Sequence, residues 1–149
     1  MNTQSEILID CNAPVFIPDG CLQVLPDSEQ LPNRVRGQVK WDTTKFSLYL
    51  VDDQKNGKLI GGNKLRKGLG AMPVLTAHVL DFLIKPENQY LIPEEWKRKL
   101  VFFWGTIYRR SDRGLCVRYL CWGGGKWYWG CGWLDDDWGG SRPAVCSQV

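Results

Sequence analysis

The chain is poor in the groups that most chemistry needs. It holds a single histidine, His78, in 149 residues. Imidazole is the usual base for an activated nucleophile and the commonest metal ligand. No Ser–His–Asp or Cys–His arrangement is suggested by the spacing around His78. Its position among Val74, Leu75, Val79, Phe82 and Leu83 marks it as a packed residue of an apolar helix face. Cysteine is present six times, as Cys11, Cys21, Cys116, Cys121, Cys131 and Cys146. No two of these have the C-x-x-C spacing of a zinc knuckle or redox site, so no metal and no cofactor is expected. The glycines and lysines between positions 57 and 70 lack the G-x-x-x-x-G-K-[ST] order of a phosphate loop. Asp135, Asp136 and Asp137 supply carboxylates, but a glycosidase needs two opposed across a cleft, which sequence neighbours do not provide by themselves. An enzyme is not expected.

Long apolar runs are also missing. None approaches the roughly 20 residues of a membrane span, so membrane insertion is not expected. The opening Met-Asn-Thr-Gln-Ser-Glu has neither a basic stretch nor an apolar stretch, so no signal peptide is expected either. The reading is a soluble chain, displayed on a virion or a cell surface through a partner if it acts outside a cell. Without a secretory route, a disulfide framework is not expected. The charge excess is only +3. Lys58, Lys64, Arg66 and Lys67 form one basic cluster and Lys97, Arg98 and Lys99 another. Both read as solvated faces, and no nucleic-acid partner is expected.

What is present suits one globular domain, residues 1–149, with 44% hydrophobic residues and 23% charged. Short strands are expected over 5–9 and 13–17, the second kept at an edge by Pro14 and Pro18. Residues 18–36 read mostly as loop. Strands follow at 38–41 and 45–51, where Phe46, Leu48 and Leu50 alternate with Ser47 and Tyr49. Residues 52–72 read as a long connection, anchored by Leu59, Ile60, Leu65 and Leu69. Pro73 is expected to open a helix running to residue 85, stopped by Pro86. Pro93 opens a shorter one at 94–99, acidic in its first turn and basic in its last, as the helix dipole favours. From residue 100 the pattern is all strand, at 101–108, 115–122, 126–134 and 144–148. The turns fall at Ser111–Gly114 and at Gly123, Gly124 and Gly125. The order predicts an α+β domain whose two helices pack on an antiparallel sheet formed mainly by the C-terminal strands.

Five of the eight tryptophans, Trp122, Trp127, Trp129, Trp133 and Trp138, fall within 17 residues. Trp127, Trp129 and Trp133 share one face of an unbroken strand by period two, and that face is expected to be core. The alternate positions Tyr128, Gly130 and Gly132, with Asp135–Asp137, Gly139, Gly140, Ser141 and Arg142, are too small and polar for a second core face. Tyrosine, serine, glycine and arginine are residue types that binding paratopes use. A displayed recognition surface is therefore expected on a frame of indoles. A fixed-specificity carbohydrate-binding module, stacking its aromatic rings on sugars, is the competing reading.

The segments IPEEWK (92–97), FFWGTIYRRSD (102–112), LCVRYLCWGGGKWYWGCGWLDDDW (115–138) and RPAV (142–145) resemble variable proteins of diversity-generating retroelements. The likeness is to those of archaeal viruses and of uncultured archaea and small-genome bacteria. GGNKLRKGLGAMPVLTAHVLDFL (61–83) resembles the upstream part of the same proteins. The resemblance covers roughly residues 45–145; residues 1–40 carry none and read as an N-terminal extension or first strands. It implies a C-type lectin fold and a hypervariable region, here about 119–146. In that family a reverse transcriptase copies a template repeat with its adenines altered. The ligand would be a protein or glycan on a cell or virus surface.

The genetic code adds a check. Asparagine codons ending in a pyrimidine, altered at their two adenines, reach Gly, Tyr, Asp, Ser, Cys and Arg, among others, but never Trp, Lys, Glu, Gln or Met. Gly123, Tyr128, Gly130, Cys131, Gly132, Asp136, Gly139, Gly140, Ser141 and Arg142 belong to the reachable set, and Cys121 and Cys146 fit it. The tryptophan codon has no adenine, so Trp122, Trp127, Trp129, Trp133 and Trp138 would persist as the frame. Lys126 lies outside the reachable set, and the segment after Trp138 lacks the GFRLA-like closing sequence of many bacterial relatives. The expected ligand-binding positions are thus Cys121, Gly123, Tyr128, Gly130, Cys131, Gly132, Asp136, Gly139, Gly140, Ser141 and Arg142. Tyr128 and Arg142 are the expected anchors, since Tyr and Arg concentrate binding energy.

Overall fold

Residues 100–147 build the centre of the molecule. A computed structural model describes residues 6–19, 21–111 and 113–148, with the backbone alone for Cys21 and Leu22. Ser5 of the first expected strand and Asp112 of the expected 111–114 turn lie outside the described residues. In chain order the strands are β1 (Leu8–Asp10), β2 (Cys21–Val24), β3 (Gln38–Lys40), β4 (Phe46–Tyr49) and β5 (Ile60–Gly61). Helices α1 (Gly62–Gly68) and α2 (Ala77–Leu83) follow, then β6 (Val101–Arg110), β7 (Leu115–Gly123), β8 (Lys126–Trp133), β9 (Asp137–Trp138) and β10 (Ala144–Ser147). Pro86–Leu91 and Glu94–Arg98 form 3-10 turns. The chain is a mixed α+β fold with a mainly sheet core.

The main sheet has the order β4-β10-β6-β7-β8, and β2 also pairs with β6. It is mixed, because β10 meets β6 in parallel at Ala144 and Phe102, while the other pairings are antiparallel. That corrects the all-antiparallel expectation. Small sheets β1-β3 and β5-β9 lie beside it.

Strand β6 reads Val-Phe-Phe-Trp-Gly-Thr-Ile-Tyr without alternation, the pattern of a strand covered on both faces. Both faces are covered. On one side Val101, Phe103, Leu120 and Trp127 join Leu75, Val79, Leu80 and Leu83 from the α2 region and Trp96 from the 94–98 turn. On the other, Phe102, Trp104 and Val117 join Leu65 and Leu69 from the α1 region, with Leu134 and Trp138.

Two expectations about helices need correction. The helix expected over 73–85 is only Ala77–Leu83. Residues before it are drawn into the sheet: Val74 bridges Cys146, Leu75 N–H donates to Val145 O at 3.1 Å, and Leu75 O accepts from Gly105 N–H at 2.9 Å. A backbone bonded laterally cannot also bond to its own next turn. Thr106 Oγ then accepts from Ala77 N–H at 2.9 Å and satisfies the new helix start. Conversely, the expected connection 52–72 contains α1, which buries Leu65 while Leu59 stays 65% exposed. No strand forms over 13–17.

Candidate functional site

The hairpin β7–β8 turns on Gly124 and Gly125, whose φ values of 60° and 80° are the left-handed pair that a two-residue hairpin turn requires. The turn fixes the register. Trp122 lies opposite Trp127, Leu120 opposite Trp129, Arg118 opposite Cys131 and Cys116 opposite Trp133. Directly opposed residues share a face, so these eight form one face. Cys121 opposite Tyr128, Tyr119 opposite Gly130, Val117 opposite Gly132 and Gly123 opposite Lys126 form the other.

The first face carries the indoles of β8. Trp127 is buried and meets Trp122 edge-on at 5.3 Å. Lys97 Nζ stands 4.0 Å above the Trp122 ring, and the Arg110 guanidinium stands 4.2 Å from the Trp133 ring. Arg118 is wholly buried. Its guanidinium lies 4.3 Å from the Trp129 ring and 5.2 Å from Phe16, and its Nη2 is 2.8 Å from Asp81 Oδ1. Burial opposes the Arg118 charge, but pairing with Asp81, with Tyr108 adding to it, outweighs burial and raises the pKa. Trp122, Trp129 and Trp133 are half-buried, so the frame is less enclosed than expected. Cys131 lies on this face with the tryptophans, and not with the other expected ligand-binding positions of β7 and β8.

Trp138 departs from the common frame. It is wholly buried on the opposite side of the sheet, 4.3 Å from Phe102 and 5.1 Å from Trp104. Its Nε1–H donates to Trp133 O at 3.1 Å.

The second face holds Tyr128, which is 45% exposed, with Tyr119 half-buried beside it. The Tyr119 ring reaches across from β7 and lies over Gly130. Phe102 and Trp138 lie over Gly132. Gly132 is therefore buried, and the flat centre expected from these glycines is occupied by rings. Cys121 is buried under Tyr128, so it is no open contact position. Burial raises the Cys121 thiol pKa, and the bond with Cys121 raises the Tyr128 phenol. Burial also raises Tyr119, with Cys121 adding to it and Arg142 acting against it.

Gly139, Gly140, Ser141 and Arg142 form the turn between β9 and β10 at the border of this face. Gln54, 1% exposed, fastens the turn: its Nε2–H₂ donates to Gly139 O at 3.2 Å and Arg142 O at 3.0 Å, and its Oε1 accepts from Val51 N–H at 3.1 Å. Lys99 Nζ donates to Gly140 O at 3.2 Å, and Leu100 N–H to Ser141 O at 2.9 Å. The Arg142 guanidinium lies 5.3 Å from the Trp138 ring and 6.0 Å from Phe102. So Gly123, Tyr128, Gly130, Ser141 and Arg142 gather with Tyr119. Asp136 does not. It is exposed at the far end of β8, where its carbonyl accepts from Gly62 N–H and the site is shared with Gly114, Trp133 and Asp135. Five residues of strand at ~3.4 Å each put Trp133, where the turn bearing Asp136 begins, about 17 Å from Tyr128.

Gln54 and Lys99 were not legible as site residues. A buried glutamine in a polar stretch has no pattern of its own, and Lys99 reads as part of a solvated cluster. Tyr119 was visible only as the edge of the aromatic segment. His78 is half-buried; its Nδ1 is 2.8 Å from Thr76 Oγ1 and its Nε2 2.6 Å from Ala13 O, so the ring ties α2 to the N-terminal segment. Among the described residues no group of three His, Cys, Asp or Glu could hold a metal ion, and no helix is long and apolar enough to cross a membrane. The chain matches no family model, no curated protein and no solved structure.

Proposed function

We propose that this chain is a ligand-recognition domain of the variable-protein type, with a C-type lectin-like fold, and that its ligand meets the face bearing Tyr119, Tyr128 and Arg142. One observation carries the reading. Of the expected ligand-binding positions in β7 and β8, Cys121, Gly123, Tyr128, Gly130 and Gly132 fall on one face of the hairpin, Cys131 excepted, and the adenine-free tryptophans of β8 fall on the other. Period-two alternation makes this separation, and it lets Tyr128 and its open neighbours change on one face while the tryptophans of β8 stay constant on the other. Retroelement-directed variation at the open positions of this face, Tyr128 above all, would then alter recognition with little effect on folding. The indoles are a poor platform for stacking sugars, because Trp127 and Trp138 are buried and Trp129 is covered by Phe16 and Arg118.

The test is the DNA around the gene. A near-copy of the segment coding for residues 119–146, differing at adenines and lying beside a reverse transcriptase gene, is the expected result. A locus without such a copy removes the retroelement part of the reading. Glycan-array binding abolished by substitution of Trp122 or Trp133 would favour the fixed carbohydrate-binding module instead.

A further inference from the structure

Arg142 holds a charge without a countercharge. None of the ion pairs among the described residues includes it. Its Nη1 is buried and has no hydrogen-bond partner. Its neighbours on the other side are rings, Trp138 and Phe102, which attract a cation weakly through their faces. The charged side chain that bonds to this turn, Lys99 at Gly140 O, is also a cation. Another cation, Lys126, is exposed at the hairpin end. Arg142 as a whole is only part-buried, and a guanidinium backed by aromatic rings suits a planar anion, because its N–H donors lie in one rigid plane.

We propose that the recognition face takes a partner protein through an acidic side chain, whose carboxylate seats on Arg142 with the phenols of Tyr119 and Tyr128 beside it. The proposal rests on the reading that this face is the binding surface. Two features favour one carboxylate of a protein over a polyanion. The exposed Asp135, Asp136 and Asp137 stand at the other end of β8 and would repel an anionic backbone running along it. Leu59, 65% exposed, borders Gly139 and offers apolar area that a protein partner can cover.

The experiment selects peptides from a random display library with the full chain. The recovered peptides are remeasured with each Asp or Glu changed to Asn or Gln, and against inorganic phosphate as competitor. The expected result is peptides whose affinity falls about tenfold or more, ~1.4 kcal/mol, when one particular acid becomes its amide. Arg142→Gln should remove that discrimination, and Arg142→Lys, which keeps the charge but loses the fork, should keep part of it. NMR of the Arg142 Nε–Hε group, titrated with N-acetylglutamate and with N-acetylglutamine, gives a readout independent of the library. A shift with the acid alone is expected; equal responses, or none, overturn the proposal. Peptides that need Tyr128 but carry no essential acid also overturn it, and leave the recognition face standing. Peptides indifferent to both Tyr128→Ala and Arg142→Gln overturn the face itself. Displacement by inorganic phosphate at lower concentration than by N-acetylglutamate would show a phosphate site and overturn the carboxylate.

Discussion

Replacing Gly132 with alanine would place a methyl group 2.5 Å from Phe102 Cε2, 2.9 Å from Phe102 Cζ and 3.0 Å from Trp138 Cη2. Both rings are fully buried, and they touch each other at 4.3 Å between centroids, so neither has room to retreat. Overpacking of this kind costs about 1–3 kcal/mol. For a chain of this length 1 kcal/mol moves the melting temperature by roughly 3 °C, so a fall of about 3–9 °C is expected. Gly130 is the internal control. A methyl there would lie 2.5 Å from Tyr119 Cζ and Oη, but those atoms are the far end of a half-exposed side chain. Tyr119 can swing outward, and the expected loss is below ~1 kcal/mol, or under about 3 °C. Scanning calorimetry of both variants beside the parent measures the difference. Equal losses at the two positions, or an undisturbed Gly132→Ala, would refute the reasoning. If it holds, Gly132 is a position where folding limits what variation can be displayed, although its codon is reachable.

Three other outcomes are expected. Arg118→Ala removes a wholly buried partner of Asp81 and the filling between Trp129 and Phe16, and should cost about 3 kcal/mol in urea denaturation. Arg118→Met, which keeps most of the volume, should cost less than half of that; equal losses would show that packing is not what the arginine supplies. Gln54→Ala breaks three hydrogen bonds at a buried site and should cost about 2 kcal/mol, with faster amide exchange at Arg142; unchanged exchange there would mean the turn is held by other contacts. Burial pushes the Cys146 thiol up to about 12, which leaves a thiolate fraction of roughly one in ten thousand at pH 8. Peptide mass spectrometry should find Cys146 alkylated only as fast as the chain unfolds, and rapid labelling of the native protein would contradict its burial.

The sequence by itself determined the hairpin and the division of its residues. Three consecutive glycines allow a left-handed two-residue turn, and period two then places Trp127, Trp129 and Trp133 on one side and Tyr128, Gly130 and Gly132 on the other. These are local rules of backbone geometry, and local residues suffice to apply them. Tertiary structure decided what lies above each side. Residues 73–76 have helical spacing, yet the sheet takes their backbone groups. Trp138 has the composition of its neighbours, yet two residues of β9 pair with β5 and carry it over to the opposite core. Gly132 looks like open surface on its strand, but Phe102 and Trp138, 30 residues before it and 6 after it, converge on it. The bare charge of Arg142 depends equally on distant segments, because Gln54 sets its turn and none of the ion pairs among the described residues reaches it. Which face a residue occupies follows from its own strand; whether that face is open depends on elements remote in the chain, whose approach no local pattern encodes.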